Sequence, residues 1–193
     1  MRKLYELLKR INDLKRTPRM GWIESGIEAS EAEDVAQHSF ETAAITLLLS
    51  NSLKENLDND RALKMAVVHD WAEAITGDFS QEISSELGFG IKEKIEEGAI
   101  ENLLKENIPN REEYLEIWKE YLELESRESK LVHIADRLSI LFEASYLFQK
   151  GESSEKLIKI WKTVEEELQD YTEDFPILED LLKKLEENYP EPK

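Results

Sequence analysis

Met65, Ala66, Val67 and Val68 run directly into His69 and Asp70, and this junction constrains the fold more than any other stretch of the chain. An apolar run of this kind belongs to a buried helix, so the pair at its end enters the interior. An unpaired charge buried there costs several kcal/mol, so the chain must fold to give the pair partners or a metal ion. The segment from Asp60 to Asp78, DRALKMAVVHDWAEAITGD, adds Glu73 and closes on Gly77 and Asp78. On a continuous helix His69 and Glu73 sit roughly 40° apart, with Asp70 flanking the same surface. One helical face then offers an imidazole and two carboxylates.

The rest of the chain reads as helix after helix. Leu4, Leu7, Leu8, Ile11 and Leu14 have helical spacing over the first sixteen residues, and Pro18 ends that helix. A loop with Pro18, Gly21 and Gly26 follows. Asp34 with Gln37 has the form of a capping box, and Ser30 with Glu33 competes for the same helix start. That helix carries His38 in its first turns and runs to about Leu53. The central helix spans Asp58 or Asp60 to about Gly77, and Ser84 to Gly90 reads as a flexible connection. Further stripes begin at Ile91, at Tyr114 behind an Asn110 and Glu113 cap, at Leu131, at Ile160 and at Ile177. No strand alternation, repeat or linker interrupts them. The pattern predicts one all-α domain over 1–193, a bundle of about eight helices.

Composition narrows the function. With 193 residues, 40% hydrophobic and 35% charged, the chain is long enough to bury a real core. A net charge of -18 argues against a nucleic-acid polymer or an anionic membrane as partner. A small phosphate compound stays possible where a metal or local cations outweigh that field. No run approaches a membrane span, and the opening residues MRKLYELLKR lack the apolar core of a signal peptide, so a cytoplasmic location is expected. There are no cysteines, so any metal site must use His, carboxylates and water.

His38, His69, Asp70 and Asp136 fall on three expected helices, each close to an apolar stripe. Two imidazoles and two carboxylates suit a catalytic divalent ion that keeps positions open for water and substrate. The order, His, then His-Asp, then Asp, resembles the HD-domain superfamily of metal-dependent phosphohydrolases. LKRTPRMGW at Leu14 to Trp22, VAQHS at Val35 to Ser39 and HDWAEAITGD at His69 to Asp78 further resemble the small HD-domain 5'-deoxynucleotidases. The resemblance covers roughly Leu14 to Phe148.

That resemblance implies a fold, a reaction and a site. His38, His69, Asp70 and Asp136 would hold one divalent ion, with Co, Mn, Ni, Zn and Mg all admissible. Glu73 would activate or position the attacking water, and Asp78 would assist at the sugar or phosphate end. Arg16 falls at the family's substrate-binding arginine; Arg19 is a second candidate for a phosphate oxygen, and Trp22 for stacking on a base or sugar, although both have structural readings too. Relatives usually carry an acidic residue just before the first His, where this chain has Gln37. His133, one turn before Asp136, reads as supporting or structural. The expected reaction is release of phosphate from deoxyribonucleoside 5'-monophosphates. The alternatives are an HD-type phosphodiesterase or nucleoside triphosphate hydrolase, a non-catalytic metal- or nucleotide-binding module, or an acidic interaction protein. Trp118, Tyr121, Phe148 and Trp161 on apolar stripes, together with the family's habit, lead us to expect a homodimer.

Overall fold

Helix α9, Arg127–Gln149, forms the axis of the computed structural model, which describes residues 2–53, 57–105, 108–187 and 189. Leu131, Ile134, Ala135, Leu138, Leu141 and Ala144 give α9 apolar or small side chains on several sides, and all are fully buried. A helix apolar on most of its surface belongs inside. Packed against it are α3 (Val35–Ser52), α4 (Asn59–Val68), α8 (Arg111–Glu123), α10 (Glu155–Gln169) and α11 (Ile177–Glu186). Trp161 and Phe148, with ring centroids 5.5 Å apart, fill the end of this core. A second apolar cluster joins Leu7 of α1 (Arg2–Asp13) to Ile100 of α7 (Phe89–Leu103) and to Trp118 and Val68. Each large apolar side chain buried in these clusters contributes about 1.5–3 kcal/mol.

The fold is all-α, and among the described residues the one β-bridge is the isolated pair Pro18 and Asp34. No described helix is long and apolar enough to cross a membrane. Asp34 wins the competition for the start of α3: its side chain accepts from Gln37 N–H, and Gln37 reaches back to the Asp34 N–H. Ser126 and Ser154 cap α9 and α10 in the same sense.

Several expectations need correction. The eight expected long helices are present, and the described residues add three short helices and one 3₁₀ turn, Leu14–Arg16, that were not expected. The additional ones are α2 (Met20–Glu24), α6 (Gln81–Leu87), which replaces much of the flexible connection expected at Ser84 to Gly90, and α5 (Glu73–Thr76). Asn110 does not cap α8; it adopts φ 57°, and its side chain makes no capping bond. The aromatic residues behind the expected dimer serve the interior instead: Trp118, Phe148 and Trp161 are buried and Tyr121 is half-buried.

The largest departure is in the central segment. Helix α4 ends at Val68 and α5 begins at Glu73, so the continuous helix expected from Asp60 to Gly77 is broken at the His69-Asp70 pair. Between them the backbone tightens, with Trp71 N–H donating to Val68 O, Glu73 N–H to Asp70 O and Ala74 N–H to Trp71 O. In such i to i+3 turns, residues three apart eclipse, so Asp70 and Glu73 come onto one side. The His69 carbonyl accepts from Trp118 Nε1 at 3.1 Å.

Candidate metal centre

Three elements bring the candidate ligands together. Helix α3 carries His38, the turn after α4 carries His69 and Asp70, and α9 carries Asp136. Ligand atoms of His38, His69 and Asp136 all lie within 4.8 Å of one another. The Asp70 Oδ2 atom is 3.2 Å from His69 Nε2 and 3.7 Å from His38 Nε2, so the fourth expected residue joins the same cluster. His38 Nε2 approaches Asp136 Oδ1 to 2.9 Å.

The hydrogen bonds behind these atoms fix which way they face. His69 Nδ1 lies 2.8 Å from Ala66 O, an acceptor only, so Nδ1 carries the proton and Nε2 turns a lone pair inward. His38 Nδ1 lies 3.2 Å from Ser139 Oγ, whose hydroxyl donates to Glu41 Oε2 at 2.9 Å; the serine proton being spent, Nδ1 of His38 is again the donor. Asp136 Oδ2 accepts from Tyr121 OH at 2.8 Å, leaving Oδ1 for the centre. Gln37 has no part in this, because its side chain is taken up by the cap at Asp34.

Next to the cluster sits Arg19. Its Nη1 is 3.1 Å from Asp78, 3.5 Å from Asp70 and 3.8 Å from Glu73. Asp78 reaches it because Gly77 adopts φ 72°, a left-handed conformation that a glycine tolerates, and turns the chain back. The other Asp78 oxygen accepts the Met20 N–H. Arg19 is itself anchored by its N–H to Glu33 O, beside the bridge that closes the 17–34 loop. Arg16 is elsewhere: it is exposed, donates to Asn12 O and does not line the cavity.

Trp22 is buried at 3% exposure, contributes to the cavity wall and donates from Nε1 to Glu33. Burial pushes the Glu33 carboxyl up to about 8, against the lowering effects of the Trp22 bond and the Arg19 charge. A folded-state value above the unfolded one means stability is fully present below about pH 4.5 and is lost as pH rises towards 8. Glu33→Gln keeps an acceptor for Trp22 and removes the titration. Thermal melts at pH 5 and pH 9 are therefore expected to show a smaller alkaline loss in this variant than in the unaltered protein. Equal losses would refute the assignment.

Residues 11–176 match the HD domain family. The chain belongs to the HD domain family. It is 32% identical over 147 residues to the human protein named 5'-deoxynucleotidase HDDC2, an alignment covering 75% of this chain and 68% of that one. A fission-yeast protein, 5'-deoxynucleotidase hdd1 of Schizosaccharomyces pombe, is 32% identical over 138 residues, covering 68% of this chain and 65% of its own length. Among solved structures, the PH0347 protein from Pyrococcus horikoshii OT3 superposes with a TM-score of 0.77 at 34% identity, covering 96% of this chain and 99% of that one. An HD-domain phosphohydrolase from Listeria innocua, at 20% identity and a TM-score of 0.70 over 93% of this chain and 90% of that one, shares the fold.

The HD-domain residues of this chain fit a divalent ion. Buried His38 Nε2, His69 Nε2, Asp70 Oδ2 and Glu73 Oε2 have no hydrogen-bond partner among the described residues, an arrangement costly for polar atoms unless a cation joins them. Burial lowers the His38 pKa, and the Arg19 charge lowers it further, so the imidazole stays neutral as a ligand must. For His69 burial is outweighed by the carboxylates of Asp70 and Asp136, which raise its pKa. Burial opposes ionisation of Asp70 and Asp136 too, yet His69 beside the first and Arg137 and His38 beside the second hold both below the usual carboxylate range. Glu73 is raised well above its usual value by burial and by the Asp70 charge. A cation between them opposes both effects.

A cavity of about 380 Å³ opens over these groups, with Trp22, Ile140 and Ile160 among its apolar lining and Lys92, Glu96 and Arg137 among its charged lining. His133 lines it as well, its ring against Tyr171 at 5.7 Å, and burial lowers its pKa to about 4. The sequence reading did not single out Tyr121, Ser139, Glu41, Arg137 or Lys92 as site residues. Ser139 had a legible signal, being a polar residue one turn beyond Asp136 on a buried helix. Tyr121 had none, since a tyrosine on an apolar stripe looks like core.

Proposed function

We propose that this protein is a metal-dependent phosphohydrolase, a 5'-deoxynucleotidase that releases phosphate from deoxyribonucleoside 5'-monophosphates. The observation that carries the proposal is the convergence of His38, His69, Asp70 and Asp136 in one cluster, of which His69, Asp70 and Asp136 line a cavity together with Glu73. The names of the relatives supply the substrate class. A divalent ion held by these four residues would polarise the phosphoryl group and lower the pKa of water. Co, Mn, Ni, Zn and Mg all suit a site of two imidazoles and two carboxylates.

The remaining chemistry falls to the chain. Glu73 offers an Oε2 with no partner among the described residues to the attacking water; it takes the water's proton as the water oxygen bonds to phosphorus and the ester P–O bond breaks, and passes that proton to the departing 5' oxygen, which leaves as the nucleoside alcohol. Arg19 holds phosphate oxygens by charge-assisted bonds, and Asp78 acts through Arg19 by fixing its guanidinium. The phosphate contact passes to Arg19 rather than Arg16 because, of these two, Arg19 borders the cavity and Arg16 does not. Trp22 forms part of the wall against which base or sugar rests.

A phosphate-release screen tests this. Deoxyribonucleoside 5'-monophosphates, their ribose and 3' counterparts, cyclic nucleotides and triphosphates are each offered with each of the five ions. Release from the 5'-deoxy series, lost on chelation and restored by metal, is the expected result. Turnover confined to cyclic nucleotides or triphosphates, or tight binding without release, would overturn it.

A homodimer and a cytoplasmic location belong to the same proposal, the latter checked by cell fractionation. The dimer is supported by exposed apolar residues at helical spacing, Phe40, Leu47 and Leu48 on α3 and Phe142 and Tyr146 on α9. Light scattering at micromolar concentration is expected to return twice the mass of one chain; the mass of a single chain would refute the dimer.

A further inference from the structure

Helices α3 and α9 pack so that two pairs of polar residues lie in successive rungs. The first rung is His38 against Asp136. One turn further along each helix, Glu41 and Ser139 form the second. The rungs are joined by the 3.2 Å contact between His38 Nδ1 and Ser139 Oγ. Ser139 is fully buried, as is His38, while Glu41 is half-buried at the far end.

We infer that Glu41 and Ser139 form a relay that sets the tautomer and orientation of His38 and thereby the affinity of the centre for its metal. A serine hydroxyl has one proton to give. Because that proton goes to the Glu41 carboxylate, Ser139 meets His38 only as an acceptor, and the imidazole proton must sit on Nδ1. The Nε2 lone pair is thereby committed to the centre. The negative end of the chain at Glu41 also makes the imidazole a stronger donor, as carboxylates behind ligating histidines do. His69 receives the same orientation from a backbone carbonyl, which no substitution can remove. His38 depends on two side chains, so its support can be dissected. Both are positioning residues, since neither touches the centre itself.

The test uses the metal-free full chain titrated with Co²⁺, followed by calorimetry and the visible spectrum, with histidine tautomers read from long-range ¹H–¹⁵N spectra. Only three histidines are present, which makes assignment direct. Ser139→Ala is expected to weaken cobalt binding about 10–100-fold and to release His38 from the single Nδ1–H tautomer. Glu41→Gln, at a half-buried position, is expected to weaken it about tenfold. Ser139→Thr restores the hydroxyl and most of the affinity. In the Ser139→Ala background Glu41→Gln adds little, because the path to His38 is already cut.

Unchanged cobalt affinity in both single variants would overturn the relay, and so would losses that multiply in the double variant. If the unaltered chain takes up no cobalt, the metal reading of the site falls. The tautomer spectra still decide the relay in that case: retention of the pure Nδ1–H form in Ser139→Ala overturns it, and its loss supports it.

Discussion

His69→Ala, and equally His38→Ala, is expected to leave the protein folded but without its divalent ion, with turnover reduced to background. Each imidazole presents to the cluster a buried Nε2 that has no hydrogen-bond partner among the described residues, and each is aimed there by a bond on its Nδ1. Alanine removes the donor without leaving a buried charge unpaired on the same residue. The other ligands cannot replace it, since Asp136 is held by Tyr121 and Asp70 leans on Arg19. Elemental analysis of the purified variants measures the loss, with circular dichroism as the control for folding. His133→Ala is the matched comparison. Its ring packs on Tyr171 and its position is on the cavity wall, so metal content is expected to match that of the unaltered protein. Metal retained at full occupancy in both ligand variants would refute the ligand set.

Glu73→Ala separates chemistry from binding. The residue is 7% exposed, opens α5 directly after the turn that holds His69 and Asp70, and points Oε1 at Arg19 while Oε2 has no partner among the described residues. Removing it is expected to lower kcat about a hundredfold or more, the usual scale for a lost general base, with metal content intact. Nucleotide affinity is expected to hold or to tighten, since the carboxylate also repels phosphate and its removal frees Arg19 from one of its three acidic neighbours. Single-turnover kinetics beside a binding titration measure both. Near-normal turnover with the metal retained would make Glu73 a bystander; loss of the metal would make it a ligand.

The amino-acid sequence determined the helical class, the starts of helices such as α3 and α4 and the identity of the clustered residues, because these depend on local causes. Apolar spacing marks a buried helical face wherever it occurs, and Asp34 with Gln37 satisfies the same orphan N–H groups in any fold. The apolar run ahead of His69-Asp70 likewise announced the burial of His69, while Asp70 beside it is half-buried. The break in the central helix was not legible. HDWAEA has good helix propensity, and what ends α4 at Val68 is packing around Ala72, Trp71 and Trp118, together with the Trp118 bond to the His69 carbonyl. That break swings Asp70 and Glu73 together onto Arg19, a placement that a continuous helix would not give. Which arginine borders the cavity was also a tertiary matter, for Arg16 and Arg19 are chemically alike and only the bridge between Pro18 and Asp34 turns Arg19 inward. The relay from Glu41 through Ser139 to His38 spans about a hundred residues of sequence, the Ser139 to His38 separation being 101. No local rule connects such residues; only the packing of α3 against α9 decides that they touch.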